Sequence, residues 1–350
     1  MAINWRSGYS AIWRVMTVNK TTWADQKEVF GVKSVSVDRD CTDDVPLLES
    51  GTMKYTSKLP PKFTEGYYRI ELIVEQGSER QIVPISTLLC SSQAGEITRN
   101  YSEMDVDCFS VLKPASEVYF NDGEYAPIKV NGAQWCAEKL RAAGVAAPVK
   151  VTGSFTLNKY YIFDNSTSYL AGVWTILKAA NFVMMIFGDG VIEIRSRPTA
   201  AYLRINKANC GYLLTEINYN GSIDRIPNRY LAVNYDGKSA TAINNNSNSP
   251  TSYSKRGRYI DYKDYSPALV NGESLKDYAI RRLKEESTIV EKYSYTREFH
   301  PEIVPCRIIE FDLPNLGMVG NYKVLKQQLK FDKGVTVSET VGKEVVTYAE

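Results

Sequence analysis

Four runs rich in apolar residues near the N-terminus constrain the fold most strongly. They lie at residues 11–18, 28–38, 65–75 and 80–90, and each predicts a strand. Successive side chains of a strand point to opposite faces of a sheet, so the alternation within 28–38 predicts a long strand with one buried face. A Gly-Ser turn joins the last two runs, and one or two more strands are expected within 94–112. The sequence therefore predicts a small antiparallel β domain over residues 1–112.

Helix signals appear in residues 113–200, between further strand signals. Asn131 stands where an N-cap belongs, and Gly144 stands just past the predicted end of a helix over 133–143. The apolar positions of this segment repeat at the spacing of one helix face: Ala133, Cys136, Ala137 and Leu140. The pattern predicts an amphipathic helix.

A second helix is predicted to begin at Ser166 or Ser168 and to end near Asn181. Its buried face is expected to comprise Leu170, Val173, Trp174 and Leu177. Two apolar runs then flank the Gly-Asp-Gly tripeptide at 188–190, an arrangement typical of a β-hairpin. Residues 113–200 are therefore predicted to form a compact α/β insertion domain.

The C-terminal part of the chain returns to strand signals. Residues 201–272 are predicted to hold strands and an exposed loop, because Asn, Ser and one Pro dominate the stretch 244–254. A helix is predicted over 273–286, and its buried face comprises Leu275, Tyr278, Ala279 and Leu283. Together with the strands that follow, residues 273–350 are predicted to form a second β domain. Strands from about 201–245 are expected to complete the first one.

Composition supports a strand-rich globular protein. The 350 residues exceed one typical core and predict two to four subdomains. The 24 Tyr, with abundant Thr, Val and Ile, favour strands over helices. A net charge of +2, from 42 Lys and Arg against 40 Asp and Glu, is typical neither of a nucleic-acid binder nor of an acidic tail. The predicted fold class is mainly β, of the α+β kind.

Targeting signals and cysteine usage point to a reducing compartment. No run of about 18 apolar residues is present, so no membrane-spanning segment is predicted. The first residues lack the apolar core of a signal peptide, and the chain is expected to stay in a cytoplasm until assembly. The six cysteines are Cys41, Cys90, Cys108, Cys136, Cys210 and Cys306. Because none shows a Cys-x-x-Cys spacing, they are expected to be reduced, buried thiols.

The scarcity of histidine limits the possible catalytic chemistry. His300 is the only histidine, so any Ser-His-Asp or Cys-His pair would have to use it. It stands between Phe299 and Pro301, where a strand is predicted to end. A zinc site with two histidines cannot be built within one chain. A structural or solvent-facing role is therefore expected for His300.

Paired carboxylates are the second candidate for chemistry, since glycosidases use two of them about 5–10 Å apart. The candidates are Asp38, Asp40, Asp43 and Asp44 in one predicted turn, and Asp105 and Asp107 in a second group. The last two would share one face of a strand. Both groups offer oxygen ligands suited to Ca²⁺, but neither follows the order of an EF-hand loop. Solvated turns are the simpler interpretation, because 40 acidic residues produce such pairs by chance.

Two further motifs carry little functional signal. The tripeptide 188–190 lacks the pattern of a phosphate-binding loop. Arg256-Gly257-Arg258 is basic, but eight basic residues face six acidic ones in 251–286, and intersubunit or intradomain pairing with Asp261 and Asp264 is expected instead. No catalytic, cofactor-binding or metal-binding residue is therefore predicted, no cofactor is expected, and the chain is not expected to be an enzyme.

Several segments, taken in order, carry a family resemblance. They are residues 32–51, the helix and hairpin at 174–194, PNRYLAV at 227–233, RGRYIDY at 256–262 and the strands at 317–337. In this order they resemble the tail hub proteins of bacteriophages and of related contractile injection machines, the late control protein D-like family. The resemblance implies two antiparallel β-barrel-like tube domains with peripheral α/β insertion domains.

The resemblance also implies a function and a set of partners. In that family three subunits form a ring that closes the tail tube and adapts its sixfold symmetry to a threefold tip. A homotrimer in the virion tail, assembled in the host cytoplasm, is therefore expected. Its expected partners are a distal tail or tail tube protein, the tape measure protein and tip fibre or spike proteins. DNA is expected to pass through the lumen without specific binding.

Two alternatives remain open from the sequence. A tail-associated carbohydrate-binding or glycan-hydrolysing β protein is suggested by the Tyr and Trp content and by the Asp groups. A hexameric tail tube or tail-completion subunit is the other alternative. Tube subunits are usually smaller, around one β-barrel, so the chain length and the three predicted helices argue against it.

Overall fold

The protein is mainly β, as the sequence predicts. The computed structural model describes residues 3–5, 9–42, 47–57, 65–208, 213, 216–234, 236–265, 267, 273–331 and 335–346. Strands make up about 50% and helices about 15% of the structure, and the large sheets are antiparallel.

The described residues form twenty-one strands and five α-helices. The strands are β1 Ser10–Val18, β2 Asp25–Glu28, β3 Val32–Asp40, β4 Glu49–Ser57, β5 Gly66–Gln76, β6 Glu79–Ile97, β7 Ser102–Ser110, β8 Tyr125–Ala126, β9 Val149–Thr152, β10 Tyr161–Ile162, β11 Phe182–Ile186, β12 Ile192–Ser196, β13 Ala201–Asn206, β14 Asn218–Asn220, β15 Arg229–Val233, β16 Ser239–Ile243, β17 Asp261–Asp264, β18 Thr288–Arg297, β19 Ile308–Leu313, β20 Met318–Phe331 and β21 Val335–Val346. The helices are α1 Lys113–Glu117, α2 Gly132–Ala142, α3 Tyr169–Ala179, α4 Tyr253–Arg256 and α5 Leu275–Glu286.

The chain divides into two compact units. The first comprises Met1–Glu216 and Tyr295–Val341, and the second comprises Ile217–Ser294 and Gly342–Glu350. This division cuts across the predicted segments 1–112, 113–200, 201–272 and 273–350, whose boundaries stay a prediction. Sequence periodicity identifies strands but does not identify their partners, so it cannot assign a strand to a unit.

The first unit contains a strongly curled sheet. Within this unit the strands follow the order β21-β20-β3-β4-β7-β6-β5-β1-β2, the last residues of β18 pair with β21, and β13 joins the sheet through β19. Trp13 on β1 and Phe331 on β20 lie with ring centroids 6.2 Å apart, although five strands separate them in that order. Both belong to one core with Val37, Leu72 and Val106. The apolar faces of the strands therefore enclose a common core, which is the arrangement that their alternation predicts.

The insertion in the first unit shares a core with residues of the curled sheet, and its helices are well capped. The Asn131 side chain accepts hydrogen bonds from the backbone N–H groups of Ala133 and Gln134, and Gly144 follows α2 with φ +84°. Ser168 caps α3 in the same way, and Asn181 ends it with φ +56°. The predicted caps are confirmed because Asn and Ser oxygens satisfy the unpaired N–H groups of a first helical turn.

The second unit packs one helix on a small sheet. Strand β15 lies between β16, to which it is antiparallel, and β17, to which it is parallel. Tyr278, Ala279 and Leu283 of α5 are buried against Tyr230 and the neighbouring alanines of this sheet. Ser274 caps α5 by accepting a hydrogen bond from the N–H of Asp277, so the predicted helix over 273–286 is confirmed with a slightly later start.

One strand prediction differs from the structure. The run 28–38 forms no single strand, because a turn containing Gly31 at φ +92° separates β2 from β3. A Cβ atom on Gly31 would lie 2.2 Å from the carbonyl oxygen of Thr56, so the turn depends on glycine. Completion of the first β domain by strands of 201–245 stays a prediction, although β13 lies in the sheet that contains β1 to β7. In the described part of the chain β13 pairs with β19, and β15 and β16 join β17.

The polar stretch 244–254 is not simply an exposed loop, and that prediction is corrected. Asn244, Thr251 and Ser252 are fully buried, and Ser249 is nearly so. The Asn244 amide donates to the hydroxyls of Ser249 at 2.9 Å and Thr251 at 3.3 Å. Short polar side chains can satisfy one another and the nearby backbone, so a polar composition does not by itself predict exposure.

Candidate functional site

A buried network of charged and polar side chains lies inside the first unit. Glu339 on β21 accepts hydrogen bonds from Arg297 Nε at 3.0 Å and from Arg297 Nη2 at 2.8 Å. It also accepts from the Tyr295 hydroxyl at 2.7 Å and from Gln327 Nε2 at 2.6 Å. Arg297 is 1% exposed and Glu339 2%. The carboxylate therefore joins β18, β20 and β21 through fully desolvated, charge-assisted hydrogen bonds.

The network continues on the same face of the sheet to the neighbouring strands β3 and β4. Arg39 Nη1 on β3 lies 3.5 Å from Gln327 Oε1, and Arg39 Nε donates to Glu49 Oε1 on β4 at 2.8 Å. Ser86 on β6 donates to the other oxygen of Glu49 at 3.4 Å, and Arg39 Nη2 donates to the Ile85 carbonyl. Side chains from six strands are thus connected inside one curled sheet.

The sequence shows charged residues of this network at strand positions where apolar residues are expected. In β3, Arg39 occupies the next alternate position after the buried residues Val35 and Val37, so its side chain points to the same face. In β21, Glu339 occupies the alternate position between the buried residues Val337 and Val341. A charged residue at a position where the alternation of a strand predicts an apolar one indicates either that the strand ends there or that the charge has a buried partner. The partners lie far apart along the chain, so the sequence cannot identify them.

Burial also shifts the ionisation of this network. Desolvation raises the pKa of Glu49 to about 7, although the Arg39 guanidinium and the Ser86 hydroxyl act in the opposite direction. Desolvation raises the pKa of the Tyr295 hydroxyl too, and the Glu339 charge adds to the effect. Tyr295 therefore stays a hydrogen-bond donor throughout the ordinary pH range.

The raised pKa of Glu49 predicts a pH-dependent stability. Between about pH 4.5 and about pH 7 the folded protein holds a proton on Glu49 that the unfolded chain has lost. The contribution of this group to stability is therefore complete below that window and is lost as pH rises through it. We expect the free energy of unfolding of the wild type, relative to Glu49→Gln, to fall from about pH 5 to about pH 8.

Urea unfolding of both proteins at the two pH values measures this difference. Gln keeps the shape and one acceptor oxygen of Glu49 but does not titrate. Subtracting the free energy of unfolding of the variant from that of the wild type therefore cancels the contributions of the other titrating groups. A rise of the difference with pH would mean that the ion pair with Arg39 outweighs burial, and would contradict the prediction.

The Gly-Asp-Gly tip of the β11–β12 hairpin is fixed against the outer face of the curled sheet. The Asp189 carbonyl accepts from Trp23 Nε1 at 2.8 Å and from Arg69 Nη2 at 3.0 Å. The Gly188 carbonyl accepts from the Thr87 hydroxyl at 3.0 Å. The predicted hairpin is confirmed, and its tip attaches the insertion to the sheet instead of facing a ligand.

The predicted carboxylate groups are separated or paired with cations. Asp40 lies 2.6 Å from Lys326 Nζ, and hydrogen bonds from Lys326 and Thr42 hold its pKa below the ordinary value against the effect of burial. Asp38 accepts from Gln328 at 2.9 Å. Asp43 and Asp44 lie outside the described residues.

Asp105 and Asp107 share the exposed face of β7, as predicted. Asp105 lies 3.7 Å from Lys54 Nζ, whose strand position is directly opposite. In the part of the chain that the structure describes, no group of three or more His, Cys, Asp or Glu is placed to hold a metal ion. The described geometry therefore gives these aspartates exposed positions beside strand neighbours.

His300 and the basic tripeptide are placed by local contacts. His300 Nδ1 accepts from the N–H of Glu302 at 3.3 Å. Arg256 donates to the carbonyls of Ile226, at 2.8 Å, and Ile223. Within the chain, the described contacts give neither arginine a bond to Asp261 or Asp264, and pairing between subunits stays a prediction.

Those two aspartates have partners on the sheet and helix of the second unit. Asp261 forms a two-point contact with Arg229, at 2.7 Å for each pair of atoms. Asp264 accepts from the hydroxyls of Tyr230 at 3.1 Å and Tyr278 at 2.6 Å. The partners of these aspartates thus come from the parallel strand β15 and from α5.

Among the described residues, no helix has the length and apolar character needed to cross a membrane.

Solved structures of tail proteins share the fold of this chain over nearly its whole length. The 43 kDa tail protein of prophage MuSo2 from Shewanella oneidensis aligns with a TM-score of 0.63 at 10% identity, covering 95% of this chain and 98% of that one. A tail protein from Neisseria meningitidis MC58 aligns with a TM-score of 0.63 at 9% identity, covering 97% and 98%. Prophage tail protein gp18 from Listeria monocytogenes EGD-e gives 0.52 at 11% identity, covering 95% and 94%. No protein-family model and no curated protein sequence matches the chain.

Proposed function

We propose that the chain is a structural hub of a phage tail tip or baseplate and that it acts as a homotrimeric ring. The ring would close the tail tube and adapt sixfold tube symmetry to a threefold tip. The observation that carries this proposal is the shared fold with a prophage tail protein, which extends over 95% of this chain and 98% of the other. Agreement over both full lengths supports a role for the whole chain in a tail.

The physical properties of the chain support a ring. Among the described strands, β13 has β19 as its one neighbour, and Tyr202 on β13 is 46% exposed. Sheet edges of this kind need pairing or covering, and closed cyclic symmetry is the usual way in which identical chains provide it. Strand β2 is short and charged, as protected edges are.

The proposed partners follow from a place at the distal end of the tail tube. They are a distal tail or tail tube protein, the tape measure protein, and tip fibre or spike proteins. A net charge of +2 suits a lumen through which DNA passes without being held. The glycan-hydrolysing alternative gains no support from the described aspartates, because Asp40 and Asp105 lie beside lysines.

The mass of the purified chain in solution tests the ring. We expect three copies by light scattering over a tenfold range of concentration, because a closed ring has no free edge for further growth. Six copies would favour a tube or adaptor ring. A single copy at every concentration would contradict self-association and would reopen the carbohydrate-binding alternative.

A further inference from the structure

Two cysteines that are distant in sequence face each other in the curled sheet. Cys90 on β6 lies directly opposite Cys108 on β7, and their sulfur atoms are 2.7 Å apart. Cys90 is 1% exposed and Cys108 3%. The thiols therefore form a buried contact pair that the scattered spacing of cysteines in the sequence does not show.

The pairing of Cys90 with Cys108 is compatible with a disulfide, although the register shifts between Cys90 and Ser92. Directly opposite residues in an antiparallel pair have Cα atoms about 4.5–5.5 Å apart, within the range of about 4.4–6.8 Å that disulfides span. On the outer sides of the pair, Gly51 lies opposite Cys108 and Gly66 lies opposite Cys90. The residues opposite the two cysteines on the flanking strands are thus glycines, which have no side chain that would crowd the two sulfur atoms.

We propose that Cys90 and Cys108 form a disulfide when the protein leaves a reducing cytoplasm. The oxidant would be a small-molecule disulfide. One cysteine thiolate attacks it, a mixed disulfide forms and one small thiol leaves. The second cysteine then attacks the mixed disulfide, releases the second small thiol and closes the protein disulfide. Two protein thiols are oxidised, one small disulfide is reduced to two thiols, and the protein loses two hydrogens.

The bond would secure the base of an exposed hairpin. Residues 91–101 are exposed, and the strands on both sides of the turn continue the pairing of β6 with β7. Burial and the contact with Cys108 raise the pKa of the Cys90 thiol, so the reaction is expected to be slow and to quicken with pH. The change of compartment rests on the proposed tail function, whereas formation of the bond in solution does not.

Peptide mapping of the full chain tests the proposal. The protein is incubated with oxidised glutathione, or with reduced glutathione as the control, then alkylated in denaturant and digested. Arg99 lies between the two cysteines, so trypsin separates them unless they are joined. We expect one cross-linked peptide pair that carries both cysteines and lacks two hydrogens. Recovery of both cysteines as alkylated or glutathione-bound peptides would overturn the proposal.

A matched variant and a second readout complete the test. Cys136 contacts the Val173 carbonyl and serves as the internal control that should stay alkylatable. We expect oxidation to raise the melting temperature of the wild type by a few degrees, and Cys90→Ser with Cys108→Ser to abolish this dependence on oxidant. If oxidation raises the melting temperature of the double variant as much as that of the wild type, the rise comes from other thiols and the proposal is contradicted. The result does not depend on whether the chain forms a trimer.

Discussion

Replacing Glu339 with Gln is expected to lower the free energy of unfolding by about 3–5 kcal/mol, because it leaves a buried guanidinium without its counter-charge. Arg297 is 1% exposed and directs two nitrogens at the carboxylate. Gln keeps the size of the side chain but removes the charge. It also replaces one acceptor oxygen with an NH₂ donor that faces other donors.

Urea unfolding followed by far-UV circular dichroism measures this loss. Glu103→Gln is the matched control, since Glu103 is half exposed and lies 4.0 Å from Lys33 Nζ. Removing that surface pair is expected to cost at most about 1 kcal/mol. Equal losses in the two variants would contradict the view that the buried network stabilises the curled sheet.

A double variant separates the ion pair from simple loss of packing. Arg297→Met combined with Glu339→Leu removes both charges, so no uncompensated charge remains in the core. We expect it to recover part of the stability lost in Glu339→Gln. A double variant that is less stable than Glu339→Gln would show that Tyr295 and Gln327 depend on the carboxylate more than Arg297 does.

Gly188→Ala is expected to destabilise the first unit by about 1–3 kcal/mol and to displace the hairpin tip from the sheet. A Cβ atom at this position would lie 2.0 Å from the Pro84 carbonyl oxygen and 2.8 Å from that of Ile85. Both oxygens belong to the backbone of a central strand and cannot move without disturbing its pairing. The hairpin must therefore shift, and the hydrogen bond from Trp23 to the Asp189 carbonyl is expected to break.

Unfolding experiments and tryptophan fluorescence report the two effects separately. Gly77→Ala is the control, because a Cβ there meets nothing within 4 Å and only the φ of +63° is unfavourable. We expect a red shift of the emission in Gly188→Ala alone, as Trp23 gains contact with water. An unshifted spectrum with full stability would contradict the assignment of the hairpin tip as an attachment point.

Local signals in the sequence predicted much of the fold. Asn131, Ser168 and Ser274 cap helices because the first helical turn leaves N–H groups that their oxygens accept. Short apolar and aromatic runs predicted β1 and β5, and alternation predicted most of β3, which buries one face. These features depend on neighbours within about four residues, which the sequence shows directly.

Features that join distant parts of the chain could not be predicted. The contact of Arg39 with Gln327 spans 288 positions, and that of Trp23 with Asp189 spans 166. A charge in the buried phase of a strand indicates that a partner exists but not which residue it is. The pairing of Cys90 with Cys108 and the attachment of the hairpin tip depend in the same way on sheet order, which periodicity leaves open.

The most direct test of the proposed function is the number of copies of this chain in an assembled tail and their position. The measurement is electron microscopy of intact particles in which the chain carries a C-terminal label, with averaging around the tail axis. The account predicts three labels in one ring at the distal end of the tube. Labels along the whole tube, six in a ring, or particles without label would contradict it.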